Sequence, residues 1–289
     1  MTVKTLDSSR FLIIGSNGQL GTALRKQYPD AQALDADGLD ITNQEAVQQY
    51  DWSRVSVIIN AAAYTNVDGA ETSDGRVAAW NINAVGVRNL TDIAIAHDMT
   101  IFHISSEYVF DGTQNPHRED ESLSPLGVYG DSKAAGDIAV SLAPKHYLLR
   151  TTWVIGEGKN FVRTMLGLGE KGIAPTVVGD QVGRLTFTSE LVRAIDHLLR
   201  SKSAYGTYNV SNNGEPASWA DVTREIFRLS GYDLAVTDTT TAEYFANKPE
   251  SAPRPLQSTL DLTKIQSAGF EPRDWRQGLQ EYIKSQKSS

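Results

Sequence analysis

Phe11-Leu-Ile-Ile-Gly15-Ser-Asn-Gly18-Gln-Leu-Gly21 is a short apolar run that breaks into three evenly spaced glycines and then into a helical pattern reaching Tyr28. The spacing predicts a strand over Phe11–Ile14, a glycine turn, and a helix over Leu20–Tyr28. Glycines allow backbone amides to approach an anion closely, and the unpaired N–H groups and dipole of a helix start stabilise its charge. Strand, turn and helix in that order suit the pyrophosphate of a dinucleotide, with Gly15, Asn17, Gly18, Gln19 and Leu20 as its contacts. The spacing is G-x-x-G-x-x-G and not the G-x-G-x-x-G of the general fingerprint. The bland alternative is a glycine turn with no ligand. Against it stand the motif's place near the N-terminus and the next strand, Gln32–Leu34, which ends in Asp35.

An acidic side chain at that strand end hydrogen-bonds adenosine ribose hydroxyls and repels a 2′-phosphate unless a cation compensates. Asp35, with Asp40 beyond it, therefore favours NADH, while the reading of Asp35, Asp37 and Asp40 as turn and cap residues stays open. The cofactor expectation is NADPH or NADH. The third strand runs into Asn60-Ala61-Ala62-Ala63, whose small side chains let a cofactor lie close to the backbone or simply pack tightly.

Outward from the turn, Val55–Ile59, Thr100–Ser105 and Tyr147–Arg150 also read as strands, separated by helical stretches, which is the alternation of a parallel sheet. In Gly75–His97, the residues Val77, Trp80, Ala84, Val87, Leu90 and Ala94 recur at three- and four-residue steps, predicting one face packed on the sheet. The expected fold is α/β, a Rossmann-type doubly wound parallel sheet over residues 1–155, with later segments returning to it. Residues 156–289 read mainly as a smaller substrate lobe, with long connections at Gly169–Gly183, Tyr205–Pro216 and Thr237–Pro255. One of its helices opens at Ser218-Trp-Ala-Asp221, a capping-box start.

Composition narrows the chemistry. The 289 residues contain no cysteine, which excludes disulfides, thiolate metal sites and cysteine nucleophiles, and the five histidines have no metal-ligand spacing. A net charge of −8 argues against a nucleic-acid partner. No apolar run approaches the ~20 residues a bilayer requires, and Met1–Arg10 is too polar for a signal peptide, so the expectation is a cytoplasmic protein with no membrane partner.

Tyr129-Gly-Asp-Ser-Lys133 opens a helical stretch that runs through Ala139, so the phenol and the ammonium are four residues apart on one face. The strand Thr100–Ser105 delivers Ser105 and Ser106 to its C-terminal end, where open α/β sheets bind ligands. Hydroxyl, phenol and amine converging there suit ketone reduction: Ser106 orients the carbonyl, Tyr129 protonates the developing alkoxide, and Lys133 stabilises the phenolate. Lowering a phenol from about 10 to about 7 takes roughly 4 kcal/mol. A cation about 4 Å away supplies about that much in a partly dry site. The alternative is an exposed pair on a solvated helix.

With these residues in place the chain resembles the extended short-chain dehydrogenases/reductases and, more narrowly, the dTDP-4-dehydrorhamnose reductases. Its carriers are Gly15–Gly21, Asn60–Asp68 with Ala70-Glu71, Asn83-Ala84, Ser105-Ser-Glu-Tyr-Val-Phe-Asp-Gly112, Ser124-Pro-Leu-Gly-Val-Tyr-Gly130 and Arg150-Thr-Thr-Trp-Val154. Asn160-Phe161, Asp180-Gln181 with Gly183, and Arg254-Pro255 with Ser258 and Leu260 continue it. The resemblance implies reduction of a dTDP-4-keto-6-deoxy sugar by Ser106, Tyr129 and Lys133, the last two also touching the cofactor. It places Tyr108 and Trp153 beside the sugar, and Asn160 and Arg254 near the nucleotide or its phosphates. Core packing is the alternative for the two aromatics.

This chain departs from the family in three places. Ser106 replaces the usual threonine, Gly183-Arg-Leu-Thr186 lacks a proline before the threonine, and the acidic positions that bridge dimers through magnesium are sparse. Glu190 fits one such position, but the C-terminal helix offers only Glu281 and ends in Lys284-Ser-Gln-Lys-Ser-Ser289. Neither Mg2+ nor that dimer is carried over as an expectation. A homodimer, or fusion or association with a 3,5-epimerase, stays open. So do two other readings: an epimerase or dehydratase of the same superfamily, with Glu107 as its acidic residue, and a non-catalytic regulatory subunit resembling that of methionine adenosyltransferase.

Overall fold

The computed structural model describes residues 6–248 and 250–287, so Met1–Thr5 and the final Ser288-Ser289 lie outside the described residues. The first half supplies β1 (Phe11–Ile14), β2 (Gln32–Leu34), β3 (Val57–Asn60), β4 (Thr100–Ser106) and β5 (His146–Thr151). Short strands follow: β6 (Val154–Ile155), β7 (Thr176–Val178), β8 (Val182–Gly183) and β9 (Thr186–Phe187). Then come β10 (Gly206–Asn209), β11 (Ala217–Ser218) and β12 (Thr237–Thr239). The central sheet has the order β10-β5-β4-β3-β1-β2, and all its pairings are parallel. The direction of winding reverses at β1, so the crevice that receives a ligand lies beyond the C-terminal ends of β1 and β3. The expected doubly wound fold is the one found.

One expectation fails in a specific way: Tyr205–Pro216 is not only a connection, because Gly206–Asn209 within it is the sixth strand, paired with β5. Gly206-Thr-Tyr-Asn209 is too short and too polar at both ends to show alternation. It is a strand because β5 offers it a free edge and Tyr208 drops into the core, 3% exposed. Likewise Gly169–Gly183 and Thr237–Pro255 contain β7 and β12, which pair with each other.

Helices cover both faces. On one, α1 (Gln19–Gln27) packs Leu20 and Leu24 with Leu191, Ile195 and Leu198 from the later helix Thr188–Ser201. On the other, Leu90, Ile93 and Ala94 meet Leu12, Ile58 and Ile101 of the sheet. Leu24 and Leu90 are fully buried, each contributing about 1.5–3 kcal/mol relative to exposure. A separate core in the second half gathers Met165, Phe187, Ile226, Trp275 and Ile283. Among the described residues no helix is long and apolar enough to cross a membrane. The capping box at Ser218 forms as expected.

The Gly75–His97 stretch corrects its predicted face. Helix Ser73–Trp80 passes through a π-helical segment, Asn81–Gly86, into helix Val87–Ala96. Gly75, Ala79 and Asn83 are buried before Val87, Leu90 and Ala94, whereas Val77 is 60% and Trp80 41% exposed. The wider turn takes an extra residue, so the inward stripe N-terminal to it is shifted out of phase with the one after it. A constant helical period extrapolated backwards from Val87 therefore selects the wrong residues.

Candidate active site

Beyond β1 the chain turns at Gly15, whose φ is +78° and whose N–H is bound by the Leu34 carbonyl at 3.0 Å. A Cβ at Gly21 would stand 2.1 Å from the Gly15 carbonyl oxygen, so only glycine lets the helix start nest in the turn. The N-terminus of α1 has no side-chain cap at Gly18, which leaves its amides free to meet an anion. Asp35 sits across the turn, its Oδ2 accepting the Asn17 N–H at 2.8 Å, while the Asn17 side chain receives Arg25 at 3.3 Å. Gly15, Gly18, Asp35, Asp40 and Ala61 to Ala63 line a cavity of about 490 Å³. Asp40 Oδ1 is taken by the Thr42 amide and hydroxyl.

A second cleft of about 630 Å³ joins the first at Gly18, Ala61 and Ala63 and is also lined by Gln19, Leu20, Ser106, Glu107, Tyr108, Tyr129, Lys133 and Trp153. The glycine turn, the uncapped helix start and Asp35 thus lie along two adjoining hollows. These residues fit a dinucleotide. The exposed-pair alternative for Tyr129 and Lys133 is not what the structure contains.

Helix α2 (Val128–Val140) carries Tyr129 and Lys133. It lies so close to the π-helical segment that a Cβ at Gly136 would be 2.2 Å from the Asn83 carbonyl oxygen. Asn83 clamps this arrangement: its Nδ2 donates to Ser132 Oγ at 3.0 Å and to the Tyr64 carbonyl at 3.1 Å, and its Oδ1 accepts the Tyr64 N–H at 2.9 Å. Lys133 is 1% exposed and donates to the Ile104 carbonyl at 2.7 Å, with His103 Nε2 at 3.5 Å. Burial pushes its ammonium down to about 8, opposed by the Asp137 carboxylate. Burial, and then the charge of Lys133, hold His103 well below the ordinary imidazole range.

The Tyr129 phenol differs from the expectation of a lowered pKa. Burial first, and the charge of Glu107 second, push it up. With Lys133 bound to the Ile104 carbonyl, the protein alone keeps Tyr129 protonated at rest. Tyr129 also meets the Tyr108 ring edge-on at 5.4 Å.

The remaining candidates divide. Trp153 lines the cleft, has a φ of +44°, and stacks on Trp219 with centroids 3.6 Å apart. Asn160 does not line it. Its Oδ1 caps the following helix through Arg163 N–H, and its Nδ2 donates to the Gly156 carbonyl and Tyr282 hydroxyl at 2.8 Å each. Arg254 is likewise held within the chain, pairing with Asp68 Oδ1 at 2.7 Å and the Ala252 carbonyl at 2.9 Å. Glu190 is fully buried, and its carboxylate is filled by Arg193 at 2.7 and 2.8 Å and by Arg273 side chain and amide at 3.0 and 2.9 Å. That is a saturated ion pair and not an open magnesium ligand. Where the expected proline is missing, Leu185 is fully buried and Arg184 bridges the Gly214 and Leu260 carbonyls. Sequence reasoning missed the Asp137–Arg150 pair behind Lys133 and the Asn60–His103 contact at 3.2 Å, because nothing in their spacing marks them.

Comparison with known proteins meets this geometry from the other side. The sequence model of the RmlD substrate binding domain family matches residues 9–288. The chain belongs to that family. A dTDP-4-dehydrorhamnose reductase of Aggregatibacter actinomycetemcomitans is 41% identical, over 94% of this chain and 97% of that one. A spore coat polysaccharide biosynthesis protein of Bacillus subtilis is 36% identical over 97% and 99%. Among solved structures of the family, the dTDP-4-dehydrorhamnose reductase of Bacillus anthracis in complex with NADP superimposes with a TM-score of 0.87. It shares 35% identity and covers 96% of this chain and 99% of that one. A dTDP-glucose 4,6-dehydratase of Streptomyces venezuelae, 19% identical with a TM-score of 0.78, shares the fold alone.

Proposed function

We propose that this chain reduces the 4-keto group of dTDP-4-dehydro-6-deoxy-L-mannose to give dTDP-L-rhamnose, with NADPH or NADH as reductant. The observation that carries the reading is the single cleft that Gly18, Gln19 and Leu20 line together with Ser106, Tyr129 and Lys133. The end-to-end likeness to dTDP-4-dehydrorhamnose reductases supplies the substrate. When bound, the nicotinamide supplies a hydride. The chain's own residues do the rest. Ser106 hydrogen-bonds the carbonyl oxygen, Tyr129 gives that oxygen its proton, and Lys133 anchors the ribose and steadies the phenolate left behind. A raised phenol suits this direction of reaction, because an alkoxide is far more basic than a phenolate and takes the proton downhill.

On this reading residues 156–289 mainly form the sugar-nucleotide lobe, with Trp153 against the apolar face of the deoxysugar. The direct test is turnover of the dTDP-4-keto sugar with each cofactor in turn. Product formed with stoichiometric loss of NAD(P)H supports reduction; conversion with no net loss would assign the chain to the epimerases instead. A homodimer, or association with a 3,5-epimerase, is compatible with this activity.

Asp35 bears on which cofactor is used. Asp35→Ala removes a ribose partner and relieves repulsion of a 2′-phosphate, so the ratio of NADPH to NADH efficiency should rise about tenfold, the effect of roughly 1.4 kcal/mol. An unchanged ratio would leave Asp35 with its bonds to the Asn17 and Ala36 amides alone. For Arg254, the proposed partner is the substrate diphosphate, onto which its guanidinium forks after leaving Asp68. Arg254→Lys should raise KM for the sugar nucleotide severalfold with little change for NAD(P)H, since lysine lacks the bidentate geometry. Equal losses for both ligands, together with a lower Tm, would restrict Arg254 to tying down its loop.

A further inference from the structure

Glu107 is a carboxylic acid in an unusual place. It is 2% exposed, lines the cleft, and follows directly on the hydroxyl assigned to the carbonyl. Ser106 Oγ lies 2.8 Å from its Oε2, and Thr152 Oγ1 lies 2.8 Å from its Oε1. Its other hydrogen-bond partners are Ser258 and its own backbone amide, so hydroxyls and an amide, not a cation, face the carboxyl. Burial pushes its pKa up to about 7, against the pull of those hydroxyls.

The proton inventory of Ser106 then decides what it can do. A serine hydroxyl has one proton and two lone pairs. One lone pair already takes the Tyr108 N–H at 3.2 Å. If Glu107 is ionised, both its oxygens only accept, and the single Ser106 proton must point at Oε2. The hydroxyl that is to donate to the substrate then has nothing left to donate. If Glu107 is protonated on Oε2, it donates to Ser106, filling the second lone pair, and Thr152 still donates to Oε1. The Ser106 proton is released toward the cleft, where Tyr129 and the ketone lie.

We propose that Glu107 is a positioning residue that acts as a neutral acid, donating to Ser106 Oγ so that the Ser106 hydroxyl is turned outward as a donor to the ketone oxygen. The proposal rests on the assignment of Ser106 to the carbonyl. The titratable groups around Glu107 are Tyr108 on its own turn, Tyr129 and Lys133 on α2, and, across Tyr108, Asp68 and Arg254. Lys133 titrates near 8. The active form is the protonated one, so kcat is present below neutrality and falls as pH rises through about 7.

The test compares Glu107→Ala and Glu107→Gln. Alanine leaves Ser106 and Thr152 without their partner and should lower kcat by about tenfold or more. Glutamine reproduces the neutral acid, with its amide N–H donating to Ser106 and its oxygen accepting from Thr152. It should restore most of that loss and move the alkaline fall of kcat from about 7 toward the Lys133 range near 8. Infrared difference spectra of the ligand-free wild type against Glu107→Gln should show a protonated-carboxyl band at pH 6 that fades through neutrality. A glutamine variant as slow as alanine at unchanged Tm and NADPH affinity would overturn the proposal, as would an ionised carboxylate at pH 6. Ser106→Ala keeps the two readings separate: undiminished turnover there defeats the assignment of Ser106 itself, whatever the infrared band shows.

Discussion

Tyr129→Phe should lower kcat by two to four powers of ten, the span of one general acid, while NAD(P)H affinity and Tm stay near those of the wild type. The substitution removes one oxygen from a ring that keeps its edge-on contact with Tyr108, so packing survives and only the proton is lost. Stopped-flow turnover with the keto sugar, alongside a cofactor titration, separates the two effects. Turnover within a fewfold of wild type would take the proton donor's role from Tyr129. Glu107 would then be the next acid in the cleft to examine.

The second large effect is on stability. Asp137 and Arg150 are 2% and 5% exposed and pair at 2.9 Å between the helix that carries Tyr129 and Lys133 and strand β5. Removing one partner of a buried pair leaves the other charge in a poor solvent, at a cost of about 3–5 kcal/mol. Asp137→Ala should therefore reduce the unfolding free energy by that order. Arg150 would keep the Glu119 carbonyl and the face of Phe110, neither of which neutralises it. Denaturant unfolding measures this directly, and a loss under about 1 kcal/mol would mean that water reaches Arg150. Because the Asp137 carboxylate raises the Lys133 pKa, the same variant should also move the lysine's titration further down.

Much of this was legible in the residues. The glycine turn marked the end of β1 and the start of α1, and the alternation of apolar runs marked a parallel sheet. Ser106, Tyr129 and Lys133 do line one cleft, because a four-residue helical step and a strand end are geometric facts that sequence spacing encodes. The misses have equally physical causes. β10 has no pattern of its own and exists through its neighbour's open edge. The stripe through Val77 and Trp80 went astray because a π turn changes helical phase without any residue that announces it. Asn160 and Arg254 have polar groups that their surroundings satisfy within the chain, and sequence order cannot reveal a partner such as Asp68, 186 positions away.

The sixth strand also bears on how the molecule is made. The six-stranded sheet needs β10 to close it beyond β5, and it needs Leu191, Ile195 and Leu198 to cover α1. All of these are synthesised after residue 155. As the chain leaves the ribosome, the nascent N-terminal half therefore presents an open β5 edge and an uncovered apolar face until about fifty more residues have followed. Non-local closure of this kind is slow, and unpaired edges and exposed apolar surface are prone to aggregate until it happens. The stretch near residue 155 is thus not a division in the folding of the chain.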